Sequence, residues 1–167
     1  MSIRKITIED GSAMLDFFKR LVKEDPERVE RPVDIAKLTV ADELTWIDQR
    51  VDREKSRKLF DRIDVKEKEI VAEGEIERMK RWIEKHVAEL RFGVLPGHEE
   101  VAQELVQELI GIAKVNDIEV LLYFHLATQK AGISVVKKAG FYEVGRIKNY
   151  YKNKDLYIDR IYMALTL

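Results

Sequence analysis

Two adjacent glutamates stand where a predicted strand meets a predicted helix, in the segment VLPGHEEVAQEL at residues 94–105. This position is suited to anion binding, because the first N–H groups of a helix lack partners and carry the positive end of its dipole. Glu99 and Glu100 fill it with carboxylates instead. Either they stabilise the helix start, by about 0.3–1 kcal/mol each with Gly97 or His98 as the cap, or they place negative charge beside a bound phosphate.

Three further side chains near this segment could contact or deprotonate a ligand. Glu89 lies in the strand before the loop, where a carboxylate near a buried site would have a raised pKa and act as a general base; its alternative is a solvent-facing strand charge. His125 lies in the apolar run IEVLLYFHL, as a core residue or a substrate contact. Trp82 precedes the Glu89 strand, where it either packs or lines a pocket.

The composition excludes several classes of protein. The 167 residues suit one domain, 1–167. A net charge of −1 gives no electrostatic reason to expect nucleic acid as a partner. Cysteine is absent and the three histidines form no HxxxH pair, so we expect no metal site. No apolar run approaches the ~20 residues of a membrane span. We therefore expect a cytoplasmic protein, and the 37% charged content is compatible with a thermophile.

Periodicity predicts an alternation of strands and helices along the whole chain. Strands are expected at 3–8, within 61–79 as a hairpin turning near 66–69, at 86–96, at 118–126 and on both sides of the KNKD turn near the C-terminus. Helices are expected from about 12 to 23, 39 to 57, 98 to 115 and 128 to 140. The strand-helix-strand step at 86–126 suits a right-handed crossover between parallel strands. The order indicates one mixed α/β sheet with helices on both faces.

Three local signatures in the C-terminal half resemble those of one family. They are HVAELRFGVLPG at 86–97, GISVVKKAGF at 132–141 and DLYIDRIYMALTL at 155–167. Together with the element order they resemble the GNAT superfamily of N-acetyltransferases. The resemblance implies a mostly antiparallel mixed sheet whose central parallel pair, 86–95 and 118–126, splays apart.

The same resemblance implies a binding site for acetyl-CoA in that splay. The pantetheine would pair with backbone groups of the first strand, and the pyrophosphate would meet N–H groups at the following helix. An acceptor amine, carried by a small molecule or a protein, would then attack the thioester. The cofactor-binding residues implied in this way are Phe92, Gly93, Val94, Val101, Ala102 and Gln129.

The catalytic residues implied by the resemblance are Glu89 as the base and a tyrosine as the acid. Many family members carry a Tyr where this chain has Val136, which cannot donate a proton. Tyr150, in the next strand, could replace it, because a phenol with a pKa near 10 matches a leaving thiolate. The alternative is that this tyrosine is a strand residue that packs.

The loop at 96–101 departs from the family pattern, since the spaced glycines are missing and Glu99 and Glu100 are present. The sequence therefore leaves a second function open. In that reading the chain has a GNAT-like fold without catalysis and binds another ligand, or a protein partner, through the splay or a sheet edge. A homodimer formed through the C-terminal strands is also expected from the resemblance.

Overall fold

The computed structural model describes residues 3–167. None of its helices is long and apolar enough to cross a membrane. The helices are α1 (Gly11–Glu24), α2 (Pro32–Ile35), α3 (Val40–Lys55), α4 (Glu99–Val115) and α5 (Lys130–Lys138). The strands are β1 (Leu59–Lys66), β2 (Glu69–Arg78), β3 (Val87–Val94), β4 (Val120–Leu126), β5 (Tyr142–Asn153) and β6 (Leu156–Thr166).

One six-stranded sheet forms the centre of the fold, in the order β1-β2-β3-β4-β6-β5. Every neighbouring pair is antiparallel except β3 and β4, which are parallel and joined through α4. Their ladder contains only the pairs from Val87↔Val120 to Glu89↔Leu122. Beyond it, β3 stays with β2 as far as Val94 and β4 stays with β6 as far as Leu126. The predicted mixed sheet with a splayed parallel pair is confirmed.

Each face of the sheet is covered by helices that bury one apolar stripe. Leu105 and Leu109 of α4 are completely buried, in one cluster with Ala72 and Ile76 of β2 and Leu90 of β3. On the other face α1 and α3 cover β1 and β2, with Phe17 and Ile47 in the core. Helical spacing of the apolar residues explains both stripes. The splay therefore opens between two helical layers.

The predicted N-terminal strand at 3–8 is wrong beyond a single residue. Arg4 forms an isolated bridge with Ile63 of β1, and no longer ladder follows. The Arg4 guanidinium instead binds Asp10, at 2.6 and 2.8 Å, and Asp10 also accepts the N–H of Thr7 at 2.8 Å. These bonds fix a 3-10 turn at Ile8–Asp10, so the chain leaves the sheet to begin α1.

The other predicted elements are correct in type, with shifts at their ends. The helix expected at 98–115 begins at Glu99 with His98 as its N-cap, and the one expected at 128–140 is Lys130–Lys138. The break expected at 24–34 contains the short helix α2. Pro32 occupies its first turn, where the missing N–H costs nothing.

Gly74 and Gly111 give a matched test of the packing between α4 and the sheet. A Cβ on Gly74 would lie 3.0 Å from Leu109 Cδ1 and 3.1 Å from Leu105 Cδ2, whereas a Cβ on Gly111 meets nothing within 4 Å. We expect Gly74→Val to lower the free energy of unfolding by about 1–3 kcal/mol through overpacking. Gly111→Ala should raise it by about 0.5–1 kcal/mol, because alanine favours an exposed helix position. Urea unfolding measures both, and equal effects would contradict this account of the packing.

Candidate functional site

A cavity of about 430 Å³ lies between the α1–α3 layer and the sheet, and it reaches the splay. Its wall includes the aromatic residues Phe17, Phe18, Trp46, Phe92, Tyr123, Phe124 and Tyr151. Charged residues also line it, namely Arg28, Glu30, Asp42, Glu43, Arg50, Glu73, Glu75 and Arg91. A concave site that combines apolar and aromatic walls with polar groups is typical of small-molecule binding, and the many charged residues here suit a polar ligand.

The predicted cofactor strand forms one side of the splay. Phe92 and Gly93 line the cavity, and the Phe92 ring stacks on Tyr123 of β4 with centroids 5.7 Å apart. Val94 instead packs against the α4 core. A Cβ on Gly93 would come within 2.5 Å of Leu21 Cδ2, so glycine lets α1 approach this strand. Beyond Glu89, the backbone groups of β3 that face β4 have no partner strand within residues 3–167.

Both loop glutamates direct their carboxylates at specific partners. Glu99 Oε1 accepts the N–H of Gly97 at 3.0 Å, and this bond lowers the pKa of Glu99. Glu100 accepts from Lys66 Nζ at 2.7 Å, which lowers the pKa of Glu100. Glu99 therefore stabilises the start of the helix. Its carboxylate also accepts the Gly97 N–H, which a bound phosphate would otherwise use.

The remaining predicted cofactor residues lie near the splay but are engaged with the protein itself. Val101 and Ala102 bury their side chains in the core, and the Val101 N–H donates to the His98 carbonyl at 3.0 Å. Gln129 caps α5, because its side-chain oxygen accepts the Gly132 N–H at 2.7 Å. A ligand at α4 would thus first meet the amides that precede Val101.

The two predicted catalytic residues lie apart from the cavity wall. Glu89 is at the last paired position before the splay, and its Oε1 accepts from Arg91 Nε at 2.5 Å. Tyr150 is 47% exposed, and its hydroxyl accepts from Arg160 Nη1 at 2.7 Å. Its neighbour Tyr151 does line the cavity.

Three carboxyl groups from β1 and β2 surround one guanidinium from α3. Asp61 Oδ2 accepts from Arg50 Nε at 2.6 Å, Glu75 contacts the Arg50 Nη2 group, and Glu73 lies 3.8 Å from it. Arg50 also stacks on Trp46, 3.8 Å from the ring centroid. Because the three carboxyl groups lie within 4.8 Å of one another, one guanidinium offsets only part of their charge.

Burial changes the protonation of this carboxyl cluster, which consists of Asp61, Glu73 and Glu75. Burial raises the pKa of Asp61, and burial together with the negative charge of Asp61 raises the pKa of Glu73 to about 8. Glu73 therefore keeps its proton at neutral pH. Two like charges this close cannot both ionise at ordinary pH.

His125 and Tyr123 stand together on the β4 side of the cavity. The His125 Nδ1 accepts the Leu126 N–H at 2.9 Å, and burial lowers the pKa of His125, which keeps the ring neutral. Burial raises the pKa of Tyr123, so its hydroxyl keeps its proton. Trp82, in contrast, is 84% exposed and lies outside the cavity lining.

Sequence reasoning missed Glu43, Glu73 and Tyr123 as site residues. The first two lie in the N-terminal half, where no family signature is visible. One signal was present: Glu43, Trp46 and Arg50 repeat at i, i+3 and i+7, which places polar and aromatic groups on one helix face. Only their burial in the fold shows that this face meets the cavity.

The chain belongs to the GNAT acetyltransferase family. A sequence model of the Acetyltransferase (GNAT) domain matches residues 3–162. A search of curated proteins found no significant match.

Solved acetyltransferases share the fold at low sequence identity. A GNAT-family acetyltransferase from Streptococcus pneumoniae has a TM-score of 0.87 at 17% identity, covering 99% of this chain and 98% of its own. A ribosomal-protein-alanine N-acetyltransferase from Brucella melitensis has a TM-score of 0.83 at 19% identity, covering 100% of both chains. A putative acetyltransferase from Salmonella typhimurium, solved with its cofactor acetyl-CoA, has a TM-score of 0.82 at 15% identity, covering 99% and 93%.

The raised pKa of Glu73 predicts a pH-dependent stability. Between its ordinary value of 4.5 and about 8 the folded state holds a proton that the unfolded chain has lost. The stabilisation is therefore present below pH 4.5 and falls as pH rises towards 8, by at most about 1.4 kcal/mol per pH unit. We expect Glu73→Gln to flatten this part of the profile, measured by urea unfolding at a series of pH values. An unchanged slope would contradict the raised pKa of Glu73.

Proposed function

We propose that this protein transfers the acetyl group of acetyl-CoA to the primary amine of a small molecule. The observation that carries the proposal is the junction of two spaces: the splay between β3 and β4 opens into the aromatic, charged cavity. A thioester held in the splay would meet an amine held in the cavity. Membership of the GNAT family supports the same chemistry.

The splay fits a pantetheine arm, and the helix start fits a phosphate only after a local change. Unpaired backbone groups of β3 are available to an extended ligand. Gly97 has φ +86° and open space around it, so a ligand can approach its backbone closely. The Gly97 N–H, however, is held by Glu99. Glu99 must therefore turn away when a phosphate binds, and Lys66, which is paired with Glu100, is the nearby positive charge.

The reaction needs one group to take a proton and another to give one. The amine nitrogen attacks the thioester carbon, the carbon–sulfur bond breaks, and the ammonium proton passes to a base while the thiolate receives a proton. We propose Glu89, at the vertex of the splay, as the base acting through water. Tyr150 is the acid expected from the sequence, and Tyr123 is a second tyrosine for this role because its ring lies in the splay itself.

Neutralising Glu99 should tighten the binding of acetyl-CoA. A carboxylate about 4–6 Å from a pyrophosphate costs a few kcal/mol before screening, and Glu99→Gln removes that charge. We expect the Kd for acetyl-CoA, measured by calorimetry at low salt, to fall about tenfold. Glu108→Gln, on an exposed part of the same helix, should leave it unchanged. An unchanged Kd in both variants would show that no phosphate binds at the start of α4.

The proton-transfer roles are tested by turnover in conservative variants. Glu89→Gln should lower kcat by a factor of 10² or more with the fold intact, since general-base catalysis contributes about 10²–10⁴. Tyr150→Phe and Tyr123→Phe should be compared with a thioester whose leaving thiolate is basic. Only the variant that lacks the proton donor should then have a strongly reduced kcat. Normal kcat in Glu89→Gln rejects that assignment, and circular dichroism controls for folding.

A second candidate function is binding without catalysis, and the occupied Gly97 N–H favours it. In that case neither calorimetry nor thermal shift would detect acetyl-CoA at millimolar concentration. The exposed β5 edge, with Tyr142 and Val144 at the surface, supports a second copy of the chain as partner. Light scattering distinguishes a dimer from a monomer independently of the activity.

A further inference from the structure

Glu43 is a buried carboxyl group without a partner in the cavity wall. It is 5% exposed, and no side chain or backbone group among residues 3–167 makes a hydrogen bond or ion pair with its carboxyl group. Its oxygens are not among the fully enclosed side-chain atoms without a partner, so they can be reached from the cavity. Because this group lines the cavity, its natural partner is a ligand.

Two other acids of the cavity wall, Asp42 and Glu30, differ from Glu43 because their carboxyl groups have partners within the protein. Asp42 accepts the Thr39 N–H at 2.8 Å and the Thr39 hydroxyl at 2.7 Å, which fixes the start of α3. Glu30 forms a bidentate pair with Arg28 at 2.9 and 3.0 Å. Glu43 thus presents to the cavity an acceptor that the protein leaves unused.

The charged groups around the cavity leave a role for an added cation near Glu43. Arg50, on the same helix, is held by Asp61 and Glu75 of the carboxyl cluster, with Glu73 close by. Arg91, from β3, is bound to Glu75, Glu77 and Glu89. Arg50 attracts the Glu43 carboxylate electrostatically without contacting it. Because the three guanidinium groups already contact other carboxylates, a ligand can supply a cation that binds Glu43 directly.

The position of Glu43 separates it from the reacting nitrogen. Helix α3 packs on α1 and β1, whereas the splay opens between β3 and β4. Two strand spacings, about 10 Å, lie between β1 and β3. A group bound by Glu43 is therefore remote from the thioester. The position suits an ammonium group that stays charged, whereas the reacting nitrogen near the thioester must lose its proton.

We propose that Glu43 is a specificity-determining residue that binds a second, non-reacting ammonium group of the acceptor, so that the preferred acceptor is an aliphatic diamine or polyamine. The aromatic wall between Glu43 and the splay would cover the methylene chain. The inference rests on the proposed acetyl transfer for its biological meaning, but the binding of the diamine does not require it.

The apo protein gives the first readout. Burial raises the pKa of Glu43, so the folded state is stabilised by this group below pH 4.5 and loses that stability as pH rises and the carboxyl group ionises. At pH 7.5, Glu43→Gln should therefore have a higher Tm than the wild type. Glu108→Gln, at an exposed site on α4, should not. A Tm lowered by Glu43→Gln would overturn the claim that the group has no partner in the protein.

Binding of 1,6-diaminohexane compared with hexylamine gives the second readout. These two probes have the same chain and differ in one ammonium group. We expect calorimetry to show at least tenfold tighter binding of the diamine to the wild type and to Glu108→Gln, and equal binding of both amines to Glu43→Gln. Equal binding to the wild type, or an undiminished preference in Glu43→Gln, overturns the proposal.

Acetylation assays with the same two amines separate this proposal from the proposed function. Diamine preference in binding without any acetyl transfer would reject the transferase and keep Glu43 as a diamine-binding residue. Acetylation of both amines with equal kcat/KM would keep the transferase and reject the role of Glu43.

Discussion

The early end of the β3–β4 ladder is the constraint on which the rest of the structure depends. Three residue pairs hold these parallel strands together, and each strand then follows its antiparallel neighbour. The divergence leaves backbone groups of β3 unpaired and brings Phe92 and Tyr123 together across the gap. A ligand that fills the gap can satisfy groups that a sheet would otherwise pair. The cavity, the loop before α4 and the α1–α3 layer all adjoin this opening.

Negative charge is concentrated around that opening, and it lowers the stability of the fold. Arg50 lies against the buried carboxyl groups of Asp61 and Glu75 and near the half-buried Glu73, which keeps a proton because the site cannot hold every negative charge. Glu43 remains without a partner at the cavity wall. Buried ionisable groups of this kind destabilise a fold unless they are compensated, and perturbed groups concentrate at functional sites. The carboxyl cluster and Glu43 therefore support the proposal that the cavity binds the acceptor.

The signatures in the C-terminal half led to the correct sheet because they follow local rules: a proline ends a strand, an apolar run fills a central strand, and Gly140 at φ +102° ends α5. The N-terminal strand failed for a non-local reason. Its Ile spacing suits a strand, but the Arg4–Asp10 ion pair turns the chain away. The partners of Glu99 and Glu100 depended on where Gly97 and Lys66 came to lie.

The sequence by itself determined the family, the order of elements and the presence of two acids at the start of α4, because periodicity, capping and turn residues act over a few positions. Only the tertiary structure decided which polar side chains share a cavity. Glu43 comes from α3 and Glu73 from β2, and their burial depends on how α3 lies on the sheet. Whether a carboxyl group is exposed, paired or alone is a property of its surroundings in space, and a spacing along the chain does not record it.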